Sequence, residues 1–466
     1  MVRALSLRPD RAELAAAAVG VLLAAAAGAA VALPEGPLGA GRGLAVLLAL
    51  VAAVVTVADL RAGLVIVVLS LALPVPVVIF GFDVHPAHVF IVLFAIRAAA
   101  EAWMGRTRIR AAVLLPALVV LFGAVIASVA GPLTAGSAFR FMDVFAIPLL
   151  GLVAVASVFD VGRDLRPLVL SCAAALTIVS FAAVLQTLGY APGALAPVEP
   201  ARANALFEHP NVLGGFIAPL LVALTAVAVT AWTRVPLPLI TLVAPLALGA
   251  AGLIATLSRG ALLGVGAGLV VMIVLLIAQR RAAALLGLLL VIVAILFVAV
   301  PRVPESQRAE FADRLQQLLK PGSETGRELT FRQALRMIGD YPYTGVGPLT
   351  FGQLTRESTP IPDIEPGREH AHNLFLEGYL SLGPLGLLGL LWFVAGAMWR
   401  YLRRGRRAVE ALVAGWSVGA VAALAAMLVQ GGGDFIFSNL EPLGLLALLV
   451  GVGYAFGRTA QAPAAA

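Results

Sequence analysis

The chain has only five histidines. Two of them stand in the stretch His370-Ala371-His372-Asn373-Leu374-Phe375-Leu376-Glu377, where a long polar segment runs into an apolar helix. An imidazole titrates near neutral pH, so proton transfer is the chemistry open to such a residue at the water edge of a membrane span. Arginines supply the second ingredient. They punctuate three further polar stretches: Arg202-Ala203-Asn204 through His209-Pro210-Asn211, Ser258-Arg259-Gly260, and Gly326-Arg327 through Gly347. An arginine at the edge of hydrocarbon is costly unless it pairs or snorkels. Its planar fork suits phosphate oxygens, so the natural ligand of such residues is a multivalent anion.

The elements that must position these groups are membrane helices. Hydrophobic residues make up 61% of the chain, charged residues 12%, and the mean hydropathy is +1.01. A water-facing fold needs far less apolar residue than that, so the chain reads as a polytopic integral membrane protein with an all-α helical bundle. The net charge of +7 is carried almost wholly by arginine, Lys320 being the single lysine. The arginines fall between apolar runs, so the basic balance reports topology and excludes nucleic acid as a partner. Cys172 lies alone in an apolar run, which rules out an intrachain disulfide and reads as a small buried hydrophobe.

Runs able to cross about 30 Å of hydrocarbon fall at about 12–33, 43–58, 63–82, 86–104, 111–130, 138–159, 167–188, 211–232, 236–257, 260–278, 282–300, 373–400, 408–430 and 442–457. That gives about fourteen spans, or twelve to fourteen because the second and last are short and Pro74 and Pro76 break the third. The first run follows Arg3, Arg8 and Arg11 as a signal peptide would, yet its length favours a retained helix. A cytoplasmic N-terminus puts Arg61, Arg106, Arg108, Arg110, Arg163, Arg166, Arg234, Arg280, Arg281, the Arg400–Arg407 cluster and Arg458 inside. The opposite short loops hold only Arg42, Arg140, Arg202 and Arg259. The positive-inside rule therefore predicts that both termini are cytoplasmic, with 189–210, 258–260, 301–371 and 431–441 on the outer face. Residues 1–466 read as one membrane domain, with 301–371 as an outer loop inserted between spans. Inside that loop Phe311, Leu315, Leu318 and Leu319 recur at amphipathic helical spacing, a second helix is predicted over 328–340, and Gly345-Val346-Gly347-Pro348 forms a turn.

Counting from His372 gives His-Asn, nine residues, Gly383, two residues, Gly386. Together with Arg202 to Asn211, Leu257-Ser258-Arg259-Gly260 and the Gly326-Arg327 to Gly347-Pro348 block, this order and spacing resembles the family of O-antigen ligases and related polysaccharide polymerases, most densely over about 200–390. The resemblance implies a glycosyltransferase-C-like membrane enzyme of the bacterial inner membrane, acting on the periplasmic face. It implies an undecaprenyl-diphosphate-linked glycan as donor and lipid A-core or another glycan as acceptor, with no cofactor, nucleotide sugar or metal. On this reading His372 is the base that deprotonates the acceptor hydroxyl, and Arg259 and Arg327 hold the departing diphosphate. No Asp-x-Asp pair or His/carboxylate cluster of metal-ligand spacing is visible on the outer face, in keeping with a metal-independent route.

Each assignment has a plain rival. His372 is alternatively a helix-entry residue bonded to backbone, and His370 reads as a polar neighbour. Asn373 reads either as a site residue or as a helix cap. Arg259 and Arg327 are alternatively an interfacial anchor and a surface residue. Arg202, Asn204 and Asn211 either touch substrate or fold their loop. Arg140 and Asp143 lie one turn apart, where mutual pairing competes with a reach of Arg140 toward the diphosphate. Glu377 and Asp434 are acids near the outer edge, able to orient His372 or an acceptor sugar or simply to face a polar cavity. His85 and His88, flanking Pro86, read as interfacial. For the whole chain the leading activity is a ligase, followed by a polymerase that takes a second lipid-linked glycan as acceptor. A multi-span transporter is the reading from another class, disfavoured because the polar residues gather on one face and no internal repeat is seen.

Overall fold

The computed structural model describes residues 40–74, 77–79, 82–132, 141–190, 197–199, 202–231, 240–289, 305, 325–357 and 370–457. The helices are α1 (Ala40–Ala58), α2 (Leu60–Leu71), α3 (Pro86–Trp103), α4 (Ala111–Ala130), α5 (Ile147–Val158, after a π-helical turn at Phe141–Ala146), α6 (Val161–Thr187), α7 (Pro210–Ala231), α8 (Ile240–Thr256), α9 (Arg259–Ala278), α10 (Thr325–Asp340), α11 (Phe351–Glu357), α12 (Leu374–Arg407), α13 (Ala411–Gly433) and α14 (Leu440–Phe456). Among the described residues seven helices are long and apolar enough to cross a membrane, and five shorter apolar helices accompany them. The chain is a polytopic helical membrane protein. Two of the fourteen expected spans, 12–33 and 282–300, lie wholly or largely outside the described residues, as do Arg140 and the amphipathic stretch 311–320.

One expectation needs correction. The span drawn over 63–82 ends at Leu71, and a small antiparallel hairpin, β1 (Val77–Ile79) with β2 (Phe82–Val84), follows in the register Val77 to Val84, Val78 to Asp83 and Ile79 to Phe82. The cause is local. Proline has no N–H for the helical ladder and clashes with the preceding turn, so Pro74 stops the helix from continuing. The 12 residues of α2 span only about 18 Å. Asp59 starts α2 by accepting hydrogen bonds from the backbone N–H groups of Arg61 (2.8 Å) and Ala62 (2.9 Å).

The centre of the bundle is α7, buried along its length, flanked by α13, α9 and α8. Lipid is as apolar as a leucine, so helices in a membrane associate by close van der Waals approach between small residues. That is the pattern found here. Gly264 and Gly268 of α9 face the backbone oxygens of Ala426 and Ala422 on α13, where an added Cβ would come within 2.8 and 3.0 Å of them. Gly386 of α12 meets Gly123 of α4 so closely that a Cβ on Gly123 would lie 2.3 Å from the Gly386 nitrogen. The outer rows carry large exposed apolar residues at helical spacing, such as Leu114, Leu118, Phe122, Val125 and Val129 on α4. Such a row is a liability in water and ordinary against acyl chains.

Helix ends set up the site. α10 ends before Pro342, and its buried Ala334 and Met337 pack with Val346, Phe351, Ala371 and Leu380, which seats the described part of the polar loop on the start of α12. Gly383, with φ +66°, breaks α12 just beyond that contact and lets Thr344 O approach where a Cβ would lie 2.8 Å away. The backbone N–H groups of Val346 (2.7 Å) and Gly347 (3.2 Å) then donate to Leu380 O, freed by the break.

Candidate functional site

Four chain segments far apart in sequence converge at one end of the bundle. His372 directly precedes the N-cap of α12, and Asp434 is the C-cap of α13, its N–H bonded to Gln430 O at 2.9 Å. Their side chains meet: His372 Nδ1 lies 3.0 Å from Asp434 Oδ1. The other carboxylate oxygen, Oδ2, accepts from Asn211 Nδ2 at 2.6 Å. Asn211 Oδ1 in turn accepts from the Arg202 guanidinium at 2.6 Å, and Arg202 also donates to both Glu199 oxygens at 3.0 Å and to Thr256 O at 3.0 Å. A continuous polar chain, Glu199–Arg202–Asn211–Asp434–His372, thus runs from the loop before α7 to the histidine.

The local fold holds His372 in place from both sides. Its φ of +50° lies in the left-handed region, which costs a non-glycine residue about 1–3 kcal/mol and persists only where neighbours over-determine it. Glu377, fully buried, accepts from the Ala371 N–H at 2.8 Å and from Ser381 Oγ at 2.8 Å. Asn373 caps α12, its Oδ1 accepting from Phe375 N (2.8 Å) and Leu376 N (3.0 Å), while its Nδ2 donates to Gly432 O at 2.7 Å. The peptides on either side of His372 are therefore fixed. Ala205, Leu257 and Leu349 share the same unusual φ of +49°, and each lies in or beside one of the other three polar segments.

The sequence-predicted residues sort accordingly. Of the two acids expected near His372, Asp434 contacts the ring and Glu377 holds the backbone before it. Asn373 acts as a cap. Asn204 is buried and folds its loop, its Nδ2 donating to Phe207 O (2.6 Å) and its backbone N–H to Gln186 Oε1 (2.9 Å). Arg202 is buried and committed to the polar chain. His370 lies beside His372, ring centroids 4.5 Å apart, and against Phe435 at 5.6 Å. Burial, reinforced by the neighbouring His372, pushes its imidazole down to about 4, so it stays neutral near pH 7. His209 is also pushed down, first by burial and then by Arg202; its Nδ1 accepts from Asn211 N at 3.1 Å and its Nε2 lies 3.1 Å from Glu199.

Arg259 is the first residue of α9, after the Ser258 N-cap, and Gly260 packs against Gln430, whose amide donates to Asn211 O at 3.2 Å. The Ser258–Gly260 turn thus abuts the same helix ends as Asn211 and Asp434. Arg327 lies near the start of α10, the helix seated on α12. His85, 2.9 Å from buried Glu441, and His88, buried at the start of α3, make a separate pair of histidines. Cys172 is buried, as its apolar surroundings suggest.

The fold brings together a grouping that linear spacing does not show. His370, His372 and Asp434 place a ligand atom each within 4.8 Å of one another, a group that could hold a metal ion. Linear spacing could not find it, because Asp434 is 62 residues from His372.

Residues 244–391 match the O-antigen ligase family. That segment, about a third of the chain, is similar to the O-antigen ligases. No curated protein matches the chain. The matched segment contains Arg259, Arg327 and His372, whereas Arg202, Asn211 and Asp434 lie outside it. The similarity suggests a glycosyltransferase-like enzyme.

Proposed function

We propose that this protein is an O-antigen ligase that moves a glycan from an undecaprenyl-diphosphate carrier to an acceptor such as lipid A-core, at the periplasmic face of the bacterial inner membrane. The observation that carries the mechanism is the 3.0 Å contact between His372 Nδ1 and Asp434. A carboxylate there selects the tautomer with the proton on Nδ1, which leaves the Nε2 lone pair as the base. Nε2 takes the proton of the acceptor hydroxyl as that oxygen attacks the anomeric carbon. The bond from that carbon to phosphate breaks, and the diphosphate leaves on its lipid.

Arg259 and Arg327 bind the leaving diphosphate, whose negative charge grows as the bond breaks. The position of Arg259 at the start of a 20-residue helix supports its role, because the positive end of the helix dipole reinforces the guanidinium. Both oxygens of Asp434 are engaged by protein groups, one by His372 and one by Asn211, which favours a hydrogen-bonded dyad. The His370–His372–Asp434 grouping supports a second reading, a metal-assisted route in which a cation polarises the acceptor oxygen.

The test of the activity is purified protein with a lipid-diphosphate-linked glycan and two acceptors offered separately, lipid A-core and a second lipid-linked glycan. Transfer to lipid A-core is expected. Elongation of the lipid-linked glycan alone would make the protein a polymerase.

A further inference from the structure

The other end of the bundle carries a cavity of about 680 Å³ between the start of α6, the end of α12, the turn into α13 and the end of α14. Four arginines line it, Arg400, Arg403, Arg404 and Arg407, against one acid, Glu410. It is remote from His372, which precedes the start of α12, whereas the cavity lies at the far end of that helix, beyond the Gly383 break.

Aromatic faces organise these cations. The Arg400 guanidinium lies 4.0 Å from the centre of the Tyr454 ring and donates to Gly396 O at 2.8 Å, while Arg403 and Arg404 lie 5.9 Å from the rings of Trp399 and Phe456. A ring face attracts a guanidinium, and these contacts hold the cations along the cavity wall. The rim is apolar and open: Val409 is 91% and Trp399 60% exposed, and both line the cavity. Exposed tryptophan at the end of a membrane helix marks the headgroup level.

We propose that this cavity binds the phosphate of an anionic phospholipid, with the headgroup among Arg403, Arg404 and Arg407 and the acyl chains leaving past Trp399 and Val409. The volume suits a glycerophosphate headgroup, within the roughly 300–1,000 Å³ common for ligand sites. A basic pocket between helix ends differs from a diffuse basic surface by offering several forks to one phosphate. A soluble phosphate would use the same forks but gain nothing from the apolar rim.

Native mass spectrometry of the full chain in neutral detergent tests this, with phosphatidylglycerol, phosphatidylcholine and inorganic phosphate as probes. One phosphatidylglycerol should be retained in preference to phosphatidylcholine, and its retention should fall as salt rises. Arg403→Gln/Arg407→Gln should weaken retention about tenfold or more, the scale of a partly exposed charge-assisted contact. Arg108→Gln/Arg110→Gln, which removes equal charge elsewhere, should leave it unchanged. Equal retention of the two lipids by the unaltered chain overturns the proposal without reliance on any variant. So does wild-type retention of phosphatidylglycerol by the Arg403→Gln/Arg407→Gln variant. Displacement of the lipid by millimolar inorganic phosphate would overturn the lipid assignment in favour of a soluble anion.

Discussion

Replacing Asp434 by asparagine should disable the histidine without disturbing the fold around it. Asparagine keeps the shape of aspartate and one acceptor oxygen, and two partners compete for it. Asn211 Nδ2, at 2.6 Å, can only donate, so it claims the amide oxygen. The amide NH2 then faces His372 Nδ1, 3.0 Å away in the native contact, and donates to it. That inverts the tautomer: Nδ1 becomes the acceptor and the proton moves to Nε2, where the lone pair is needed. A charge-assisted hydrogen bond contributes about 1.5–3 kcal/mol, which sets a floor of about 10- to 150-fold on the rate. A wrong-tautomer histidine in a hydrolytic triad loses about 10⁴-fold. The expected result is a fall of kcat between these limits with the KM for the lipid-linked donor little changed, measured in detergent with purified protein of unaltered melting temperature. Asn211→Ala leaves the Asp434–His372 pair intact and should lose much less. Wild-type kcat in Asp434→Asn would refute the tautomer argument.

The diphosphate assignment predicts that Arg259→Ala and Arg327→Ala each weaken transfer by roughly 10- to 150-fold, with lysine at either position recovering part of the loss because it keeps charge but not the fork; normal turnover in well-inserted variants would remove these residues from the site. The proposed topology predicts that a cysteine at Ser323 is labelled by an impermeant thiol reagent in intact cells while one at Ser6 is not, and the reverse pattern would invert the arrangement.

The sequence was most legible where composition alone decides structure. The span read over 111–130 coincides with α4 because an unbroken apolar run ends at Arg110 on one side and Gly131 on the other. The His372 to Gly386 spacing was also readable, and the reason is geometric: Gly383 must break α12 and Gly386 must lie against α4. What the sequence hid were contacts between distant segments. Nothing in linear spacing joins Asp434 to His372 or to Asn211, 62 and 223 residues away. The sequence left Arg202 open between touching substrate and folding its loop. Its partners turned out to be Glu199, Thr256 O and Asn211, supplied by the turns between helices. The prolines at 74 and 76 marked a break in the third span, but the pairing of 77–79 with 82–84 left no periodicity in so short an apolar run to announce a hairpin.

The central claim is that His372, oriented by Asp434, removes the acceptor proton. The direct measurement is glycan transfer by purified His372→Ala with lipid-linked donor and acceptor, run beside the unaltered protein with and without a chelator. Positioned acid–base groups contribute roughly 10²–10⁴-fold, so His372→Ala should lose transfer on that scale while still binding donor, His370→Ala should lose much less, and the chelator should have no effect on the unaltered protein. Undiminished transfer by His372→Ala, or loss of wild-type activity on chelation with recovery on adding a divalent ion, would contradict it.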